Sequence, residues 1–190
     1  MSSLPTILGK LAGLTTFIAF IPYVIQMIRG RNRPNRATWI IWTIVGFNFL
    51  VSYHDLGATD TLWVSVGNFC AFFFVMVLSF RYGEGGWSLF DKGCLLGAGV
   101  GMGIWYFMHS PLLALWVSII VDLLGAFPTL RKSYHDPMSE DFLSWILFLV
   151  ANTLNLFAIT TWNLAQAPYP IYFFFISLTQ VSILGMRRGK

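Results

Sequence analysis

The stretch DLLGAFPTLRKSYHDPMSEDFLSWILFLVANTLNLF, Asp122 to Phe157, decides how this chain is read. It opens on a carboxylate, Asp122, set inside an apolar run. Pro128 follows in the same run, then a short charged segment, then a second apolar run bearing Trp145, Asn152 and Asn155. The first half holds a similar pattern, IPYVIQMIRGRNRPNRATWIIWTIVGFNFL, Ile21 to Leu50. Pro22 precedes Trp39 by the same spacing as Pro128 precedes Trp145. One ungapped offset also pairs Ser144 with Thr38, Arg187 with Arg81 and Gly189 with Gly83. Few other pairs are identical, so the repeat rests on its pattern of proline, basic turn, aromatic and basic terminus.

Of the 190 residues, 56% are hydrophobic and 11% charged, and the mean hydropathy is +0.68. Soluble domains carry about 25% charged residues, so this composition excludes an ordinary water-soluble domain. Apolar runs of the length that crosses a hydrocarbon core of roughly 30 Å fall at 6–28, 37–54, 61–80, 91–109, 111–131, 141–161 and 168–186. The expected fold is an all-α membrane protein with seven transmembrane helices, forming one membrane domain over 1–190. Within it, 6–86 is a three-helix repeat, 87–109 a linker helix and 110–190 a second three-helix repeat. An odd triplet and a single linker make the two repeats parallel, about an axis along the membrane normal.

The net charge of +4 is a matter of topology. Arg29, Arg31, Arg33 and Arg36 fall in loop 1–2, Arg81 and Lys92 bracket loop 3–4, Arg131 and Lys132 open loop 5–6, and Arg187, Arg188 and Lys190 end the chain. An alternating topology puts all of these on one side and leaves Lys10 on the other. The positive-inside rule then sets the N-terminus outside and the C-terminus in the cytoplasm. No aromatic–basic pattern of a nucleic-acid binder accompanies the charge. Cys70 and Cys94 sit in different helices and are expected as free thiols. No basic region precedes the first apolar run and no cleavage site follows it, so helix 1 is expected to be retained.

Several helices carry polar residues at helical spacing. Thr38, Trp42, Val45, Asn48 and Ser52 share one stripe. So do Thr61, Ser65, Asn68 and Ala71; Ser118, Asp122, Gly125, Ala126 and Thr129; Ser144, Phe148, Asn152 and Asn155; and Phe173, Ser177 and Gln180. A buried Asn often ties one helix to another. A carboxylate within a membrane helix is costly and faces an interior or an aqueous cavity. The candidate solute ligands are therefore Asn48, Asn68, Asn152, Asn155, Gln180 and Trp42. Asp122 is the candidate proton-coupling group. Pro22 and Pro128 are candidate hinges, since proline removes a helix hydrogen bond. Gly97/Gly101 and Gly99/Gly103 in helix 4 let backbones approach closely, and Ser139 is an expected cap of helix 6.

With these features the chain resembles the PQ-loop and SWEET superfamily, transporters of 3+1+3 helices with an external N-terminus. The likeness lies in Pro22 and Pro128, in the basic turns Arg29–Arg36 and Arg131–Lys132, and in Thr38-Trp39 and Ser144-Trp145. The chain departs from the hallmark Pro-Gln pair, since Tyr23 and Thr129 follow the prolines and Gln26 lies farther on. Prolines of the sugar-carrying members in helices 2 and 6 are absent too. The resemblance implies solute ligands in helices 3 and 7, roles that Asn68 and Gln180 suit. It also implies proton coupling by a helix-5 carboxylate, a role similar to that of Asp122. Nicotinamide-riboside carriers, which share the 3+1+3 plan and hold their ligand with Asn and Trp, are a further likeness.

Rival classes are narrowed by residue type. A retinal-binding protein needs a lysine deep in helix 7, where this chain has none. His54, His109 and His135 lie in loops or at helix ends, with no triad or metal spacing, so no enzyme, cofactor or metal site is expected. The expected function is transport of a small polar solute (sugar, amino acid or vitamin-like) by alternating access, proton-linked through Asp122. The alternative is a non-transporting accessory subunit of a larger membrane complex, in keeping with the 18 Phe and 8 Trp. Expected partners are a small-molecule substrate and the lipid bilayer, with room for a homo-oligomer or a membrane-complex partner and none for nucleic acid. The expected localisation is multi-pass in a membrane, the cytoplasmic (inner) one in a bacterium.

Overall fold

A computed structural model describes residues 3–32, 34, 36–83 and 89–188. Among them the architecture is all-helical: α1 Leu4–Ile28, α2 Arg36–Asp55, α3 Leu62–Tyr82, α4 Leu89–Met108, α5 Pro111–His135, α6 Phe142–Phe157 and α7 Pro168–Arg188, with a short 3-10 turn at Pro137–Ser139 before α6. Of these, α1, α3 and α7 are long and apolar enough to cross a membrane. Their outward faces carry Leu14, Phe17, Ile21, Phe74, Phe80 and Phe175, each more than half exposed. Apolar surface on this scale is suited to lipid rather than to water.

Local chemistry sets both ends of α1. Ser3 caps α1 through its hydroxyl, which accepts from Thr6 N, and Pro5 lies in the first turn, where its missing N–H costs nothing. At the other end Gly30 takes φ +70°, with Gly30 N on Met27 O and Arg31 N on Gln26 O, both at 3.0 Å. This is the Schellman arrangement, which satisfies the last carbonyls of the helix and reverses the chain.

Two helices differ from the expected spans. α5 continues to His135, so Arg131 and Lys132 lie within its last turns rather than opening a loop. α6 begins at Phe142 and stops at Phe157, four residues short. Its N-cap is Asp141, whose carboxylate accepts from Ser144 N and Oγ at 2.8 and 2.7 Å. Ser139, the expected cap, belongs to the preceding 3-10 turn. Asp141 has the better geometry because a cap side chain bonds the N–H three residues on. Pro22 and Pro128 both lie inside helices without a break. The side chains of Pro128, Thr38, Cys94, Arg131, Lys132 and Ser139 fall outside the described ones, as does the glycine-rich segment 84–88. Cys70 is a free, exposed thiol.

Helix packing follows a definite plan. α3 lies against both α1 and α2, and α7 against both α5 and α6. The two triplets join through α1 on α6 and through α2 on α5, while α4 lies outside, against α2 and α5. Exchanging α1–α3 for α5–α7 maps the partners within the triplets, and the α1–α6 and α2–α5 pairs, onto one another, whereas α4 on α2 and α5 and a small α3–α6 contact have no counterpart. The α1–α3 crossing is closest where glycines stand. A Cβ built on Gly9 would be 1.8 Å from Asp60 O, and one on Gly13 2.6 Å from Trp63 O.

The described arginines gather at one end, with Lys10 at the other beside Trp63. Arg36 Nε donates to Ser79 O at 3.0 Å, tying the start of α2 to the end of α3. Arg187 Nε donates to Tyr134 O at 3.0 Å, with its guanidinium 4.3 Å from the Tyr134 ring centroid. Arg188 Nε donates to Pro137 O at 3.0 Å. Each triplet thus has its third helix laced to the corner between its first two by guanidinium–carbonyl bonds.

Candidate functional site

Between the triplets the core divides into an aromatic cluster toward the basic end and a second cluster toward the opposite end. The first gathers Phe20, Tyr23, Trp39 and Phe72, with Trp42 and Phe148 packed on it. Phe20 of α1 meets Phe148 of α6 edge-on at 4.7 Å, joining the triplets. The second includes Phe49, Tyr53, Tyr169 and Phe173. Tyr53 stacks on Tyr169 at 4.8 Å, and its hydroxyl donates to Gln166 O at 2.6 Å. Polar side chains run through this apolar frame.

The α5 stripe takes up α2 on one side and α7 on the other. Asn48 Nδ2 donates to Ser118 Oγ, so α2 and α5 are joined by side chains deep in the bundle. Asp122 follows Ser118 by one turn and is 7% exposed. The Tyr172 hydroxyl of α7 donates to Asp122 Oδ2 at 2.5 Å. Gly125, the next residue on the stripe, faces Trp42 Nε1, 3.2 Å from where a Cβ would stand. A methyl group there would press the indole back by a few tenths of an ångström. Asn48, Trp42 and Asp122 are therefore brought to one α2–α5 seam.

α7 carries the other row. Tyr169, Phe173, Ser177, Gln180 and Leu184 are its buried stripe. Asn68 Nδ2 donates to Tyr169 Oη at 3.2 Å. Asn152 Nδ2 donates to Ser177 Oγ at 3.4 Å, and Gln180 Nε2 donates to Ser133 Oγ. Asn68, Asn152 and Gln180 thus reach different levels of α7. Asn155 is fully buried on α6 without a bond to the row.

Several buried core atoms have no partner among the described residues: Trp42 Nε1, Ser65 Oγ, Asn152 Oδ1, Gln180 Oε1, and both Nδ2 and Oδ1 of Asn155. Leaving such a group unsatisfied costs about 1–3 kcal/mol, so a core holding six of them is expensive unless something else pairs them. Four of the six expected ligands, Trp42, Asn152, Asn155 and Gln180, are in this set. Asn48 and Asn68 have side-chain partners within the chain. Tyr169 and Tyr172 were not among the expected site residues. Their signal was a pair of tyrosines at helical spacing in an apolar run, where each buried hydroxyl needs a partner.

The Asp122–Tyr172 bond makes a separate prediction. Tyr172→Phe removes the hydroxyl that donates to the carboxylate and leaves the ring in place. The expected loss is about 1.5–3 kcal/mol, the range for hydrogen bonds to charged groups, read from thermal unfolding in detergent. Thr179→Val on the exposed face of α7 serves as control and should change little.

Compared with protein-family models, curated proteins and solved structures, the chain matches none of them.

Proposed function

We propose that this chain is a membrane transporter that moves a small polar solute by alternating access. In this reading all seven helices cross the membrane, α1–α3 and α5–α7 are parallel repeats, and α4 is the linker between them. The plan is that of the PQ-loop and SWEET superfamily. The gathering of arginines at one end of the bundle supports a cytoplasmic C-terminus and an external N-terminus. The matching partners within the two triplets, and the α1–α6 and α2–α5 pairs that join them, support the repeat, and with it a solute site between the triplets.

One observation carries the reading: the partnerless Trp42, Ser65, Asn152, Asn155 and Gln180 atoms in the core. They include donors and acceptors, as a solute with hydroxyl or amide groups requires. Asp122 would bind and release a proton as the triplets rock, with Tyr172 as its partner in one state.

A thermal-shift screen of the purified chain at pH 5.5 and pH 7.5 tests this against sugars, amino acids, nucleosides and vitamins. A ligand at about 100 times its Kd adds about 2.7 kcal/mol of stability. The hit is then followed by uptake into proteoliposomes. Asp122→Asn is expected to abolish the pH dependence of uptake while leaving solute binding measurable. Unchanged pH-dependent uptake in Asp122→Asn would remove the proton-coupling role. Absence of any hit, with a partner protein retained through purification, would favour the accessory-subunit alternative.

A further inference from the structure

The backbone ties of Arg36, Arg187 and Arg188 each stay within one triplet. At the opposite end, hydrogen bonds cross from one triplet to the other. Tyr53, near the end of α2, donates its hydroxyl proton to Gln166 O at 2.6 Å, just ahead of α7. Thr61 Oγ1 stands 2.7 Å from the same hydroxyl and donates to it, since the one Tyr53 proton is already placed. Gln166 Nε2 donates in turn to Gly57 O at 3.3 Å, in the turn after α2. Asn163 holds Gln166 in position, its Oδ1 accepting from Ala165 N and Gln166 N, both at 2.9 Å.

Beneath these bonds lies a seal of rings. Tyr53 stacks on Tyr169 at 4.8 Å, Phe49 meets Tyr169 edge-on at 5.2 Å, and both tyrosines are fully buried. On α2, Asn48 lies five residues deeper than Tyr53, roughly 7.5 Å. On α7, Tyr172, the partner of Asp122, lies three residues deeper than Tyr169, roughly 4.5 Å. The tyrosine stack therefore stands between this end and the Asn48–Asp122 seam, and a solute entering from here must part it. The bonds above the stack suit that movement. A hydroxyl and an amide that come to the surface exchange their protein partners for water at small net cost, whereas the rings below exclude water while they are stacked.

We propose that the Tyr53–Gln166 bond and the Tyr53–Tyr169 stack form a gate that closes the core to this end, the external one in the topology given above. It opens when the segment around Gln166 lifts from Tyr53 and Gly57 and α7 separates from α2. The arginine ties keep each triplet whole at the other end during that movement. The gate rests on the reading of the two triplets as bodies that move against each other.

Access to position 65 reads the opening without any solute. Ser65 is 1% exposed and lies on the α3 stripe between Thr61, which bonds Tyr53, and Asn68, which bonds Tyr169. The full chain carrying Cys70→Ser, Cys94→Ser and Ser65→Cys is placed in nanodiscs and treated with a charged thiol reagent, which reaches a buried cysteine through water and not through lipid. Tyr53→Phe keeps the stacked ring and removes the hydroxyl, and Gln166→Ala removes the bond to Gly57. Each is expected to speed labelling by about tenfold, as the open population rises. Gln166 is half-buried in a loop, so its substitution reads the gate even if Tyr53→Phe folds poorly. Arg187→Gln, which loosens a tie within one triplet, should leave the rate unchanged. Unchanged labelling in both gate variants overturns the proposal, as does an equal acceleration by Arg187→Gln. Faster labelling in a chain that takes up no solute leaves the gate standing and removes the transport reading, whereas uptake with unchanged labelling removes the gate alone.

Discussion

Replacing Asn155 with Leu is expected to stabilise the folded chain and to abolish solute uptake. Asn155 is fully buried, and neither its amide nitrogen nor its oxygen has a partner. Each unsatisfied group costs about 1–3 kcal/mol. Leucine has nearly the same shape and no polar atoms, so the folded state no longer carries that cost. A gain of about 1–3 kcal/mol is expected, read as a rise in Tm in detergent. The same change removes a donor and an acceptor from the proposed solute site, so ligand-induced stabilisation should vanish with uptake. Opposite signs of this kind mark functional positions, where stability is given up for binding. Asn48→Leu supplies the contrast, because it breaks the bond to Ser118 between α2 and α5. It should destabilise. If Asn155→Leu lowers Tm and leaves uptake intact, Asn155 is a structural tie and the core reading loses its main support.

Gly9→Ala is expected to disrupt the fold out of proportion to one methyl group. Its Cβ would stand 1.8 Å from the Asp60 carbonyl oxygen and 2.6 Å from the carbonyl carbon. Those are backbone atoms at the entry to α3, so no rotamer change can relieve the overlap. α1 must move away from α3 at this crossing. Gly13 against Trp63 O and Gly67 against Gly13 O repeat the close approach farther along. Overpacking costs about 1–3 kcal/mol and occasionally more, and rigid backbone on the far side puts this site at the upper end. Gly93→Ala in α4 is the control, since nothing lies within 4 Å of its Cβ position. There the added methyl should favour the helix by roughly 1 kcal/mol. Thermal unfolding and size-exclusion profiles of the two variants check both. Equal stability in the two would mean that the α1–α3 crossing is looser than the geometry requires.

The polar stripes of α2, α3, α5, α6 and α7 were legible in the sequence because helical spacing alone decides which residues share a face. The buried stripe of α7, with Phe173, Ser177 and Gln180, is an example. Helix existence was legible for the same reason, from long runs of apolar residues. Ends were less so. The stop of α6 at Phe157 and the extension of α5 to His135 depend on local capping and on what the next turn packs against, which hydropathy does not encode.

By itself, then, the sequence determined an all-helical chain with helices long and apolar enough for a membrane. It also determined a basic bias in alternate loops and a set of polar residues on defined helix faces. Tertiary structure alone decided which of those faces meet. Asp122 bonds Tyr172, and Asn48 bonds Ser118, because α5 is wedged between α2 and α7. Asn155 is left without a partner although it shares a stripe with Asn152, which has one. Periodicity assigns a side chain to a face of its own helix, whereas a hydrogen bond depends on the distance to a neighbour far along the chain. That distance is set by packing, down to the absence of a methyl group at Gly9 and Gly13.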